Sequence, residues 1–233
     1  MSAPTATCGT SSSDPYLKND KPYWTNPCPG VPTLSAEKHS SEESLSQTQK
    51  DFIHSLYKTA ERAKNEAEKF KDEYVNHTFK TTFSDIHNIH KNRIIQNLTR
   101  DEEIPKELNK NVSVEHLKKI ELQEESLKLY KYMQRLAIAF EQLIEDQRAC
   151  NSKFTDKFEN FTTDIRLILC DFRDIIDDEK MKSIKDETRD ILEEKIRHEP
   201  QLSHRHVRDW LIFRDYINAV QYITQIMNYF VQK

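Results

Sequence analysis

Glycine is almost missing from this chain. Of 233 residues only Gly9 and Gly30 are glycine, so from Val31 to Lys233 no residue enters positive φ without steric cost. Phosphate-cradling loops, dinucleotide fingerprints and the nucleophile elbow all need glycine where backbone turns sharply or meets a ligand closely, and none can be built here. Long apolar runs are missing too. No stretch nears the roughly 20 residues that span a bilayer, so the chain is expected to be soluble, without membrane insertion. Met1 is followed directly by Ser2, Ala3, Pro4 and Thr5, with no apolar core of a signal peptide. Two expectations follow: a cytosolic protein, or a mature secreted chain behind an added Met. Neither sign of charge dominates, since Lys+Arg 35 against Asp+Glu 39 leaves a net charge of -4, and nothing draws the chain to nucleic acid.

What is present suits helices. Charged residues make up 32% and hydrophobic residues 36% of the chain, the balance of amphipathic helices with solvated outer faces. Residues 1–41 are rich in Ser, Thr and Pro and are expected to form an irregular arm. That arm nevertheless holds Cys8, Cys28, Tyr16, Tyr23 and Trp24, which a purely disordered tail rarely carries. Beyond it, residues 42–233 read as one domain.

Hydrophobic periodicity predicts four long helices. Helix A spans 42–75 through Phe52, Leu56, Ala60, Ala63, Ala67, Phe70 and Tyr74. A polar crossover, 76–112, follows and is broken by Pro105; at most a short extended piece hides between Tyr74 and Phe83. Helix B spans 113–148, capped by Ser113 and apolar at Leu122, Leu129, Met133, Leu136, Phe140 and Leu143. A tight link makes helix C, 153–177, its antiparallel neighbour. Helix C carries Phe154, Phe158, Phe161, Ile165, Ile168, Phe172 and Ile175, alternating four and three without a miss. A second crossover, 178–202, is partly helical or extends C, with Met181, Ile184, Ile191 and Ile196. Helix D, 203–231, is apolar on two stripes, so it is buried on most sides or offers an apolar face to a partner.

Acceptor triplets for N-glycosylation occur at Asn76, Asn97, Asn111 and Asn160. Three fall in the first crossover and the fourth on an outward position of helix C, which favours the secreted reading. In a continuous helix, Cys150 and Cys170 lie about 30 Å apart at about 1.5 Å per residue and cannot pair with each other. Cys170 falls on the outer surface of helix C. The arm is therefore read as a strap, with Cys8 and Cys28 bonded to Cys150 and Cys170 in an open order, and with Tyr23 and Trp24 covering apolar positions near Leu167. The alternative is a local Cys8 to Cys28 loop with two free thiols.

Candidate chemistry is sparse. His87 with His90, and His204 with His206, invite a metal, but no HExxH or Glu-x-x-His motif contains them, and no metal or cofactor is expected. Arg197, His198, His204, Arg205, His206 and Arg208 form a basic cluster, read as a solvated helix entrance or as a weak glycosaminoglycan contact near Arg205. The acidic pairs Asp177-Asp178, Glu193-Glu194 and Glu102-Glu103 do not face each other across a cleft. No strand-ended loops present a nucleophile with its base, and no enzyme activity is expected.

Long helices joined by a long, a tight and another long connection resemble the long-chain helical cytokines, the interleukin-6 class to which the insect Unpaired ligands are also compared. The resemblance covers residues 42–233 and is architectural. It implies an all-α four-helix bundle, up-up-down-down, acting as a secreted ligand for a cell-surface cytokine-type receptor. It further implies contacts through the outer faces of A and C, the end of the A–B crossover with the end of D, and the start of D. One subgroup marks the start of D with Phe-x-x-Lys; this chain has Trp210, Leu211, Ile212 and Phe213 there, and its own Phe-x-x-Lys lies at Phe154 to Lys157. Trp210, with Phe213 and Arg214, is the implied receptor anchor, against the alternative that Trp210 is ordinary core. Two other classes remain open: an extracellular carrier of lipid or a small apolar ligand, and an intracellular helical scaffold with reduced cysteines.

Overall fold

The computed structural model describes residues 21–28, 45–98 and 104–233. Among these the chain is all-helical, without a strand, in the order α1 (Gln47–Phe79), α2 (Phe83–His90), α3 (Val114–Lys119), α4 (Leu122–Ala149), α5 (Thr155–Ile175), α6 (Asp178–Ser183), α7 (Glu194–Arg197) and α8 (Leu202–Gln232). No helix among the described residues is long and apolar enough to cross a membrane.

Helix α1 starts at a capping box: Ser46 Oγ accepts from the Gln49 amide at 3.2 Å while Gln49 Oε1 accepts from the Ser46 amide at 3.0 Å, so two amides that the helix leaves unpaired are satisfied reciprocally. Its buried stripe runs through Ile53, Leu56, Ala60, Ala63, Ala67, Phe70 and Tyr74. Phe52, expected in that stripe, is only partly buried, and Ile53 takes the inward place. The helix also runs past the expected end at 75 to Phe79. Helix thus takes most of the interval from Tyr74 to Phe83, where at most a short extended piece is expected, and Asn76 lies on α1 rather than in a loop. Lys80 closes it at φ 57. Positive φ recurs at Asn97, Asn109 and Asn151, so a chain nearly free of glycine places asparagine, which tolerates the left-handed region best after glycine, at its tight turns. Asn151 makes the short α4–α5 link.

The expected helix B is two helices. Ile120 and Glu121 between α3 and α4 are extended, although no glycine or proline marks the break. Tethers to α8 direct the chain instead: the Val112 amide donates to Gln225 Oε1 at 2.7 Å, and His116 Nε2 hydrogen-bonds Tyr222 Oη at 2.8 Å. The apolar stripe of α5 is buried throughout, from Phe158 to Ile175. α5 stops at Ile175 and does not continue through 179–198, because Gln123 holds its end, donating to the Ile175 carbonyl at 2.8 Å and accepting from the Asp177 amide at 3.0 Å.

Helix α1 packs on α5 and α8, and α4 packs on the same two. Arg62 pairs with Asp164 at 2.8 Å and Glu73 with Lys153 at 3.0 Å along α1 and α5. Phe79 meets His206, and Glu68 accepts from Gln221 at 2.6 Å, along α1 and α8. Arg148 pairs with Glu159 at 2.7 Å along α4 and α5, and along α4 and α8 Gln147 donates to Asp209 at 3.2 Å while Tyr222 donates to Glu125 at 2.7 Å. The interior is filled by rings: Phe70, Tyr74, Phe154, Phe158, Phe161, Phe213 and Tyr216 touch mostly edge to face at centroid separations of 5.2 to 6.5 Å, the geometry favoured by the ring quadrupole.

The described part of the arm is a strap. Cys28 is bonded to Cys170, with Cα atoms 5.4 Å apart, which removes the local Cys8 to Cys28 loop. Cys150 is also disulfide-bonded, and Cys8 lies outside the described residues, as does most of 1–41. Arg166 Nε donates to the Pro27 carbonyl at 2.9 Å, fastening the strap to α5. Leu167 itself stays 42% exposed. Trp24 is instead fully buried against α4 and the second crossover: its Nε1 donates to the Glu187 carbonyl at 3.0 Å, Gln134 Nε2 donates to the Trp24 carbonyl at 3.0 Å, and the Arg189 guanidinium lies 5.3 Å from its ring. Buried indoles usually find an acceptor, and for Trp24 the crossover carbonyl supplies it. Cys28 and Cys170 are 142 residues apart in sequence, so changing both to Ser is expected to cost about 2–4 kcal/mol, read as a lower urea midpoint at unchanged helicity.

Candidate functional site

The head of α8 is where the resemblance implies a receptor anchor. Trp210 and Phe213 are 0% exposed, and Arg214 is buried as well. None of the three faces outward, and the reason is the path of the first crossover. Thr82 caps α2, its Oγ1 accepting from the Asp85 amide at 3.1 Å, and α2 then lies across α8 with Phe83, His87 and His90 over the Trp210 ring at centroid distances of 5.9 to 6.5 Å. The Arg214 guanidinium stacks 5.4 Å from the same ring. It donates to the His90 carbonyl at 3.2 Å and the Arg93 carbonyl at 3.0 Å while pairing with Asp215 at 2.8 Å. Arg214 therefore clamps the crossover to the helix. What this cap presents outward is Ile89, 69% exposed, and Ile94, 46% exposed.

His87 and His90 thus serve as lids on an indole. Among the described residues no group of three His, Cys, Asp or Glu side chains gathers to hold a metal ion. Burial lowers the pKa of both imidazoles, and nearby cations add to it: Arg214 and Lys91 for His87, opposed by Glu107, and Arg93 and Arg214 for His90. His206 is lowered in the same direction, by burial and then by Arg205. A group whose folded pKa is depressed takes up its proton more readily when unfolded, so stability is full at neutral pH and falls as pH drops below the ordinary value of 6.5. The urea midpoint is accordingly expected to fall from pH 7.5 to 5.5 by more than in the His87→Gln, His206→Gln double variant; equal slopes would refute the assignment.

The basic cluster at the entrance of α8 also turns inward. Arg205 and Arg208 are buried. Arg208 pairs with Asp146 and with Asp209 at 2.8 Å and donates to the Ile196 carbonyl at 2.7 Å, and Arg205 lies 3.8 Å from Asp146. Arg205 itself, 6% exposed, presents little of its side chain to a glycosaminoglycan. Only His204 and His198 of the cluster are exposed, His204 lying 3.4 Å from Glu199. Farther along α8, Lys106 of the crossover is buried, donating to Gln221 Oε1 at 2.8 Å, and burial lowers its pKa to about 8.

Sequence reasoning missed these contacts, although a signal was present. Arg208-Asp209 and Arg214-Asp215 are adjacent opposite charges inside a helix that is apolar on two stripes, and charges there must be paired. All four acceptor asparagines, Asn76, Asn97, Asn111 and Asn160, are exposed. The chain matches no protein-family model, no curated protein and no solved structure.

Proposed function

We propose that the chain is a secreted, cytokine-like helical ligand that binds cell-surface receptor chains, folded as an up-up-down-down four-helix bundle of α1, α4, α5 and α8. The observation that carries the reading is the order of neighbours. α1 and α4 each touch α5 and α8, and in every such pair residues late in one helix meet residues early in the other. α1 and α4, successive long helices in the chain, thus run the same way on opposite corners, which requires a long first connection, a tight α4–α5 turn and a long last one. The Cys28–Cys170 disulfide suits an oxidising compartment and speaks against the intracellular scaffold. The close-packed aromatic interior speaks against a carrier with its cargo inside the bundle.

The receptor-facing surface of this reading is the outer side of the α2 cap, where Ile89 and Ile94 stand out, rather than Trp210 beneath it. Protein secreted from cells of its own source should, at nanomolar dose, trigger rapid receptor-dependent transcription-factor phosphorylation in those cells and lose that activity on reduction. Silence across responsive cell types, with lipid copurifying, would replace this reading by the carrier. Ile89→Asp with Ile94→Asp is expected to weaken receptor binding by about 2 kcal/mol, the scale of hot-spot residues, at unchanged thermal stability. Unchanged binding would move the contact elsewhere on the surface.

A further inference from the structure

The turn at Ile95 to Leu98 and the second crossover border one groove. Its volume is about 480 Å³, and its lining is Asn97, Lys131, Arg135, Glu187, Thr188, Asp190 and Ile191, which lies within the about 300–1,000 Å³ typical of sites for small organic ligands. Asn97 is fixed at its rim. Ile95 and Leu98 on either side are buried, the Leu98 amide donates to the Ile95 carbonyl at 3.2 Å, and Asn97 itself takes φ 66 with its side chain exposed. The opposite wall is equally well held. Arg189 binds Glu141 through two hydrogen bonds of 2.6 and 2.7 Å, the Glu187 amide donates to Gln134 Oε1 at 3.2 Å, and Arg135 pairs with Glu187 at 3.1 Å.

The chemistry of the lining selects its occupant. The lining holds both donors and acceptors: the half-buried Lys131 ammonium, the Arg135 and Glu187 pair, and the Thr188 hydroxyl, which donates to the Asp190 carboxylate at 3.4 Å, with the single apolar side chain Ile191 among them. A mixed wall of this kind suits an uncharged ligand rich in hydroxyls that also carries an amide and one methyl group. An N-acetylhexosamine has that inventory, and Asn97-Leu98-Thr99 is by sequence an acceptor triplet for it. We propose that the first N-acetylglucosamine of an N-linked glycan on Asn97 lies in this groove and ties the first crossover to the second.

The inference rests on the secreted reading, since the glycan is added on the secretory route. In that step the Asn97 amide nitrogen bonds to C1 of the sugar of a lipid-diphosphate oligosaccharide, the C1–O bond to the diphosphate breaks, the nitrogen gives up a proton and the lipid diphosphate departs. Attachment at the rim then holds the sugar at high effective concentration, so that a weak seat is filled. Asn160, exposed on α5, is absent from this groove's lining, and its glycan stays in solvent.

The test uses protein secreted from animal cells with high-mannose glycans, occupancy being read by glycopeptide mass. An endoglycosidase that leaves one N-acetylglucosamine should keep the melting temperature of the fully glycosylated form. Asn97→Gln should lower it, and Asn160→Gln should not. Lys131→Ala with Asp190→Ala should remove the stabilisation in the trimmed form while leaving the melting temperature of the Asn97→Gln background unchanged. Equal melting of trimmed protein and Asn97→Gln, or an empty Asn97 beside occupied Asn76, Asn111 or Asn160, would overturn the groove proposal alone. Secreted protein bearing no glycan at any of the four would overturn it while leaving the ligand reading to the signalling assay.

Discussion

Trp210→Ala is expected to cost about 3–5 kcal/mol of stability, the range for emptying the place of a large buried aromatic. The indole is fully buried, covered by Phe83, His87 and His90 of α2 and by the Arg214 guanidinium. Its removal takes away the surface on which α2 rests, together with the cation–π contact, so α2 and the Arg214 clamp loosen with it. In a chain of this length each kcal/mol moves the melting temperature by about 2–4 °C, which makes the loss easy to read by circular dichroism. On the proposed ligand reading, receptor binding measured on the folded fraction should fall less than in the Ile89→Asp, Ile94→Asp variant. A Trp210→Ala protein that melts like wild type but no longer binds would restore the outward anchor and contradict the burial described above.

The same residue shows where sequence reading stops. Helix α5 was legible because its apolar residues alternate four and three on one face, and every position of that stripe is buried. Helix α8 bears two stripes, and two stripes are equally compatible with burial on most sides and with an apolar face left for a partner. What decides between them is α2, a short helix in a polar segment whose eight residues are too few to show a period. The break between α3 and α4 was invisible for a similar reason: it depends on Gln225 and Tyr222, more than a hundred residues away in sequence. The seat of Trp24 cannot be read from apolar exposure, because it is fixed by the indole N–H donating to the Glu187 carbonyl of the second crossover. The Cys170 end of the strap was legible, since an outward cysteine on a continuous helix has few covalent uses. In each failure the deciding contact is distant in sequence, and hydrophobic periodicity within one helix carries no information about it.

Both crossovers are held to α8 by an arginine that hydrogen-bonds their backbone carbonyls, Arg214 for the first and Arg208 for the second. Each guanidinium is paired with the aspartate that follows it and each is buried. A planar fork with five donors can satisfy a carboxylate and carbonyl oxygens at once, which lysine cannot. The crossovers, whose buried apolar residues such as Ile95, Leu98 and Leu192 pack on the core, are thus also fastened by charge-assisted hydrogen bonds.

Arg208→Ala should accordingly be among the most damaging single changes, at about 3–5 kcal/mol, because it strips the partner from buried carboxylates rather than merely deleting a contact. Arg208 pairs with Asp146 and Asp209 and holds the carbonyls of Ile196 and Arg197. The variant also has a pH signature. Burial already pushes the Asp209 carboxyl up, and Arg208 is the chief opposing influence. Without it the folded-state pKa rises further above the unfolded value of 3.8, so the folded variant binds more protons than the unfolded one and its stability falls as pH rises through that interval. The deficit relative to wild type is therefore largest at neutral pH and shrinks on acidification, whereas a simple packing defect would be independent of pH. Replacing Arg205, Arg208, Asp209 and Asp146 together by Met, Met, Leu and Leu should recover much of the loss, since an apolar set leaves neither a carboxylate nor the Arg205 guanidinium stranded. If this quadruple variant were as unstable as Arg208→Ala, the cost would lie in the released carbonyls of the second crossover and not in the buried charges.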